Sequence, residues 1–174
     1  VLPPVAIGYL LLILLGPTSL VGRWLERLGM PLAFTWLGAA LAAAIMGFPL
    51  MVRTIRLSME AVDPALESAA RTLGASRSTI FFTITLPLAF PGIIAGALLG
   101  FARSLGEFGA TITFVGNIAG VTRTLPLALY GYTQIPGGEG LALRLMSLSI
   151  ALALLAVMAS ELVNRYYSRR LHGC

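Results

Sequence analysis

Four long stretches of this chain carry no charged side chain: Val1 to Gly22, Leu28 to Val52, Ser78 to Ala102, and Leu145 to Ser160 with margins at Leu141 and Val163. A helix that crosses the hydrocarbon core of a bilayer needs about 20 apolar residues. The expected fold is therefore all-α and integral to a membrane, as a single transmembrane helical bundle over residues 1–174, with spans at about 1–20, 32–52, 91–115 and 141–163. The third span is placed from Pro91 because Pro87 and Pro91 interrupt a helical reading before it. Leu125 to Ile135, interrupted by Pro126, reads as a loop or a short helix that dips back.

Composition agrees. Apolar residues make up 57% and mean hydropathy is +0.90, while charged residues are 11% against about 25% in soluble domains. All twelve cationic side chains are arginine. A chain without lysine has no P-loop for the β/γ-phosphates of ATP and no Schiff-base chemistry. The one cysteine, Cys174, and the one histidine, His172, both lie in the last three residues. This excludes a disulfide framework, a His/Cys metal site and a Cys-His or Ser-His nucleophile in the body of the chain. The net charge of +5 belongs to arginines that flank apolar spans, not to a nucleic-acid surface.

Arginine distribution sets the orientation. Arg53, Arg56, Arg71 and Arg77 fall between the second and third spans, and Arg165, Arg169 and Arg170 in the tail; the other connections hold only Arg23, Arg27 and Arg123. The positive-inside rule puts the 53–87 loop and the C-terminus in the cytoplasm and the 116–140 loop outside. The third span carries Gly92, Gly96 and Gly100 at four-residue spacing, a stripe of small residues that lets helices approach closely in lipid.

Within the cytoplasmic loop, Asp63-Pro64 reads as an N-cap followed by a first helical residue, and Gly74 as the left-handed residue that ends the helix. Between them Leu66, Ala69, Ala70 and Leu73 fall at i, i+3, i+4 and i+7, an amphipathic helix of about three turns. Ser76 caps a second helix that runs to Leu86-Pro87. A helix this short is marginal in water, so its apolar face needs a partner, either the base of its own bundle or a groove on another protein.

Here the chain resembles the permease subunits of ABC importers. Their cytoplasmic loop motif, E-A-A-x3-G-x9-I-x-L-P, is matched by Ala69, Ala70, Gly74, Ile84, Leu86 and Pro87, while its Glu falls on Ser68 with Glu67 one place earlier. A second stretch, Phe101 to Asn117 with Thr122-Arg123-Thr124-Leu125-Pro126, is similar to the molybdate importer permeases. The related sulfate permeases share its Leu105-Gly106-Glu107-Phe108-Gly109 core. The resemblance implies a type I importer permease bundle that functions as a homodimer in the plasma (inner) membrane. Two ATPase subunits would dock on the loops through Glu67, Ser68, Ala69, Ala70, Leu73, Gly74, Leu86 and Pro87. An extracytoplasmic binding protein would deliver the oxyanion: molybdate, or alternatively tungstate or sulfate. The chain itself would need no cofactor, since ATP is bound by its partner. The resemblance also implies an N-terminally truncated bundle, with about another helix and more expected before Val1; the start at Val1 without an initiator methionine fits a fragment.

Arg103 and Glu107 are charges inside an apolar span, and a mid-bilayer charge costs at least about 2.5–3.5 kcal/mol unless it faces protein or water. Arg103 either helps an oxyanion pass or forms a structural ion pair with Glu107. The pair is preferred, because an arginine fixed on the path would hold the anion too tightly to release it. Ser104, Thr111 and Thr113 are the gentler candidates for lining a path. Glu161 is expected to pair with Arg165. An intramembrane enzyme would need a nucleophile and base or two carboxylates, and the spans offer only Glu107 and Glu161, without a histidine.

Overall fold

The computed structural model describes the backbone of residues 3–171 and the side chains of residues 3–162. Among the described residues every regular element is helical: α1 (Pro4–Leu15), α2 (Leu20–Arg27), α3 (Trp36–Glu60), α4 (Pro64–Thr72), α5 (Arg77–Ile80), a π-helical turn (Phe81–Thr85), α6 (Leu86–Leu105), α7 (Gly109–Val115), α8 (Leu125–Thr133) and α9 (Glu139–Leu171). Three helical stretches are long and apolar enough to cross a membrane: Trp36–Glu60, Arg77–Leu105 and Glu139–Leu162. A fourth is possible only if α1 and α2, bent by 65° at their junction, count as one.

The helix limits differ from those expected, and proline and glycine chemistry explains where. The first apolar helix ends at Leu15, and Gly16, the residue before Pro17, is extended (φ −69°, ψ 165°), as a residue preceding proline prefers. The second helix ends at Glu60, so Arg53 and Arg56 are helical residues of α3 and not part of a loop. The third helix begins at Arg77, not near Pro91, and ends at Leu105, short of Val115. Proline at 87 removes one N–H and crowds the carbonyl four residues earlier. The π turn absorbs this by inserting a residue, with the Leu86 N–H reaching back to the Phe81 carbonyl. The helix ends at Gly106, and α7 starts afresh at Gly109. Residues 125–133 form a short helix, α8, one of the two readings the sequence left open. The expected Glu161–Arg165 pair depends on an arginine that lies outside the described side chains, as do Arg169, Arg170, His172 and Cys174.

The chain divides into two compact units. One comprises Val1–Gly47 and Phe101–Leu154, and its core is Leu11, Ala39, Ala42, Ala110, Phe114 and Val115, supported by Ile7, Leu15, Leu32 and Ile45. Here α1 lies against α7: a Cβ added at Gly8 would come within 2.8 Å of Ala110 Cα, and one at Gly109 within 2.8 Å of Pro4 Cβ. The other unit comprises Phe48–Gly100 and Leu155–Cys174. In it the C-terminal half of α3 meets the N-terminal half of α6, with α4, α5 and the π turn joined to one another.

Candidate functional site

The loop that carries the sequence motif is almost wholly helical. Asp63 Oδ1 accepts the Ala65 N–H at 2.8 Å, Pro64 is the first helical residue, and Gly74 sits at φ +83° just past the end of α4. Ser76 Oγ accepts the Thr79 N–H at 3.2 Å and opens α5. These are the caps that the residue types demand. No residue of α4 is buried. Leu66 is 47% exposed, Leu73, immediately after the helix, is 88% exposed, and Ala69 is exposed as well, while Ala70 is half-buried. The apolar stripe read from the sequence thus faces outward from its unit. Burying Leu73 fully would contribute about 1.5–3 kcal/mol, and the half-covered Leu66 about half as much.

Ser68 and Glu67, at and beside the motif's Glu position, differ in what they touch. Glu67 Oε1 accepts the hydroxyl of Thr85 at 2.7 Å, and Oε2 lies 3.4 Å from Arg71 Nη2. Glu67 is therefore turned into its own unit, where it ties α4 to the π turn. Ser68, at the motif's Glu position, is exposed and donates to the Pro64 carbonyl at 2.9 Å. Thr85 is 8% exposed. Glu67, Arg71, Arg77, Ile80, Phe81 and Thr85 line one shallow hollow between α4 and the entrance to α6. Leu86 and Pro87 follow directly, on the first turn of α6.

Next along α6, Gly92 and Gly96 face α3. A Cβ at Gly92 would overlap Ser58, whose hydroxyl donates to the Ala89 carbonyl at 3.2 Å, and a Cβ at Gly96 would meet Ile55 Cγ1 at 3.0 Å and the Met51 carbonyl at 3.2 Å. Close approach of the two helices requires glycine at 92, whereas at 96 a Cβ would fit only if its neighbours gave by a few tenths of an ångström. Gly100 is buried.

The Arg103–Glu107 pair is formed, with Nη1 to Oε2 at 3.0 Å. Glu107 is 2% exposed and its other oxygen accepts the Ala110 N–H at 2.9 Å, so one carboxylate joins the end of α6 to the first turn of α7. An acid at a helix N-terminus is favoured by the dipole, and a buried carboxylate with both oxygens engaged is satisfied. Each candidate path hydroxyl donates to a backbone carbonyl. Ser104 Oγ donates to the Ala43 carbonyl of α3 at 2.8 Å, Thr111 to Phe108 at 2.9 Å and Thr113 to Gly109 at 2.8 Å. Thr111 is fully buried and faces protein in this conformation, whereas Ser104 and Thr113 are half-buried.

The segment after α7 explains the Asn117 and Thr122-Arg123-Thr124-Leu125-Pro126 part of the sequence signature. Thr122 Oγ1 accepts the Ile118 N–H at 2.9 Å and donates to the Gly116 carbonyl at 3.1 Å. Asn117 bridges the Arg123 guanidinium (2.9 Å) and the Leu127 carbonyl (3.0 Å). Sequence reasoning missed Ser58 and Thr85, whose role is visible only across the fold. Among the described residues there is no His, Cys, Asp and Glu cluster able to hold a metal ion.

Long apolar helices joined by a capped amphipathic helix are the architecture of a membrane-embedded helical protein. Residues 1–173 match the family described as binding-protein-dependent transport system inner membrane component, and the chain belongs to that family. It is 59% identical over 171 residues to the molybdenum transport system permease protein ModB of Escherichia coli strain K12, covering 98% of this chain and 75% of that protein. It is 54% identical over 172 residues to ModB of Haemophilus influenzae, with the same coverage. The sulfate transport system permease protein CysT of Escherichia coli strain K12 is 35% identical over 175 residues, covering 99% of this chain and 62% of CysT. The chain is accordingly a permease-type transport subunit of the inner membrane and not an enzyme.

Proposed function

We propose that this chain is the permease of an ATP-driven importer of molybdate and couples to a separate ATPase through α4. The oxyanion assignment is supported by the two molybdenum permeases, which are 59% and 54% identical to it, against 35% for the sulfate permease. The observation that carries the coupling role is the outward stripe of Leu66, Ala69 and Leu73 on a well-capped helix, which its own unit leaves exposed. A groove on an ATPase subunit is the partner that such a stripe fits. In the assembly, two copies of the chain form the pathway, two ATPases dock on the loops from the cytoplasm, and a binding protein delivers the anion from outside. The arginines of residues 53–77 and of the tail orient the loop and C-terminus inward.

ATP is held by the partner, and this chain needs no cofactor of its own. Closure of the ATPases moves α4, and the Glu67–Thr85 hydrogen bond carries that motion into the π turn and α6. Binding energy spent at the loop then biases the bundle between inward- and outward-facing states. Arg103 and Glu107 lock the α6–α7 break and do not bind the anion, while Ser104 and Thr113 remain the polar groups available to a path.

The test is uptake of labelled molybdate by cells in which this is the sole system, with tungstate and sulfate as competitors. Molybdate uptake that requires an active ATPase and resists excess sulfate is expected. Transport that sulfate abolishes, or that persists without the ATPase, overturns the proposal.

A further inference from the structure

The chain leaves α1 and turns through 65° into α2. The turn is held firmly. Ser19 Oγ donates to the Gly16 carbonyl and accepts the Gly22 N–H, both at 2.8 Å, and a Cβ on Gly22 would overlap the Gly16 carbonyl. The direction of α2 is therefore set by packing.

The residues of α2 sort into three sides. Gly22 is buried against the preceding turn and Leu25 is half-buried. Leu20 (80%), Val21 (52%), Trp24 (66%) and, one residue past the end, Leu28 (58%) are exposed. At 100° per residue these four fall on one arc, and Arg23, Glu26 and Arg27 fall on the arc opposite Val21. Bare leucine and tryptophan beside a net cationic face suit neither water nor hydrocarbon alone. Treating α2 as the second half of a broken span would carry Arg23, Glu26 and Arg27 into the hydrocarbon core. The two faces are met together at the boundary of a phospholipid bilayer, where acyl chains begin and phosphates lie within reach of arginine; tryptophan favours the same depth.

We infer that α2 lies along the bilayer interface as an anchor, with Leu20, Val21, Trp24 and Leu28 among the upper acyl chains and Arg23 and Arg27 at lipid phosphates. The occupant is lipid and not a second copy of the chain, because the cationic face complements phosphate and the chain belongs to a family of inner-membrane components. This inference stands apart from the molybdate assignment.

Trp24 and Trp36 are the only tryptophans, so Trp36→Phe leaves Trp24 as the sole reporter. The purified variant is reconstituted into phosphatidylcholine vesicles whose acyl chains carry bromine either near the carbonyl end or near the methyl end. Bromine near the carbonyl end is expected to quench Trp24 at least twofold more than bromine near the methyl end. Stronger quenching by the deep bromines means a broken span and overturns the inference. So does quenching by aqueous acrylamide with none by either lipid, which means water, and so does no quenching by any of them, which means that protein covers the face. A nitroxide on Leu28→Cys in a Cys174→Ser background gives the same depth without tryptophan. Its oxygen and nickel-chelate accessibilities should place it at the interface, and a value for bulk water or mid-bilayer overturns the inference.

Discussion

Gly92→Ala should separate α3 from α6, and the structure specifies its own rescue. The new methyl falls on both Oγ and Cβ of Ser58, while the next atom, Ser58 Cα, lies 3.6 Å away. Rotating Ser58 moves Oγ but leaves Cβ in place, so side-chain motion cannot relieve the overlap and the helices must part. Overpacking of this kind costs about 1–3 kcal/mol. Ser58→Gly alone loses the 3.2 Å hydrogen bond to Ala89, worth about 0.6 kcal/mol between membrane helices, and adds a helix glycine at about 0.5–1 kcal/mol. In the double variant the methyl introduced at position 92 occupies the space vacated by the Ser58 side chain, in ordinary contact with the Cα of residue 58 at 3.6 Å. The pair should then be no less stable than Ser58→Gly alone, a favourable coupling of roughly 1–3 kcal/mol. The assay is unfolding of the purified protein in mild detergent by titrated SDS. Gly140→Ala is the control, since a Cβ there meets nothing within 4 Å. Additivity of the two substitutions within about 0.5 kcal/mol would refute the close α3–α6 contact.

Four further outcomes are expected. Gly74→Pro, which forces φ near −65° where the chain adopts +83°, should abolish ATPase coupling without preventing membrane insertion; undiminished transport and stimulated ATP hydrolysis would show that the loop is not the coupler. Leu73→Ser, at an 88% exposed position, should change stability by no more than about 0.5 kcal/mol yet reduce the ATPase that co-purifies. Thr85→Val removes the only side-chain link from the π turn to Glu67 among the described residues, a bond to a charged group worth about 1.5–3 kcal/mol; the ATP hydrolysed per anion transported should rise while ATPase binding is kept. Glu107→Gln leaves Arg103 without its counter-charge and should cost about 1.5–3 kcal/mol in SDS unfolding, the range for a hydrogen bond to a charged group, since Arg103 is 39% exposed and not left as a buried charge. Full stability of that variant would remove the structural role of the pair.

What could be read from the sequence was local. Asp63, Pro64, Gly74 and Ser76 act on backbone within three residues of themselves, and each does what its residue type specifies. The four-residue spacing of Gly92 and Gly96 likewise announced a close helix contact, though not that Ser58 of α3 would be opposite. Helix limits were less legible wherever two local signals conflicted. Pro87 and Pro91 read as a break, but the π turn at Phe81–Thr85 lets one helix pass through them, and no spacing rule announces it. The apolar run beyond Arg103 read as continuous, but Glu107 turns its carboxylate onto the Ala110 N–H and starts a new helix. The hydroxyls of Thr111 and Thr113 show a related effect: on a helix a threonine can donate to the carbonyl three or four residues back, as both do here, and spacing alone does not announce that bond.

The motif and the glycine stripe, read separately in the sequence, belong to one continuous set of contacts inside a single unit. Glu67 on α4 holds Thr85, Thr85 closes the π turn, the π turn opens α6 at Leu86-Pro87, and α6 meets α3 at Gly92 and Gly96 within about three turns. Each joint is stiff for a different reason: a charge-assisted hydrogen bond, a helix turn constrained by proline, and a contact with no room for a Cβ. A stiff series passes displacement on, whereas a soft joint would dissipate it, and coupling between distant sites needs elements that move as wholes. The three joints can be loosened one at a time by Thr85→Val, by Pro87→Ala and by Gly92→Ala. If the series carries the stroke, each should lower transport per ATP more than it lowers ATPase binding, and Gly92→Ala should recover when Ser58→Gly is added. Loss of binding and transport in equal proportion would place the stroke elsewhere.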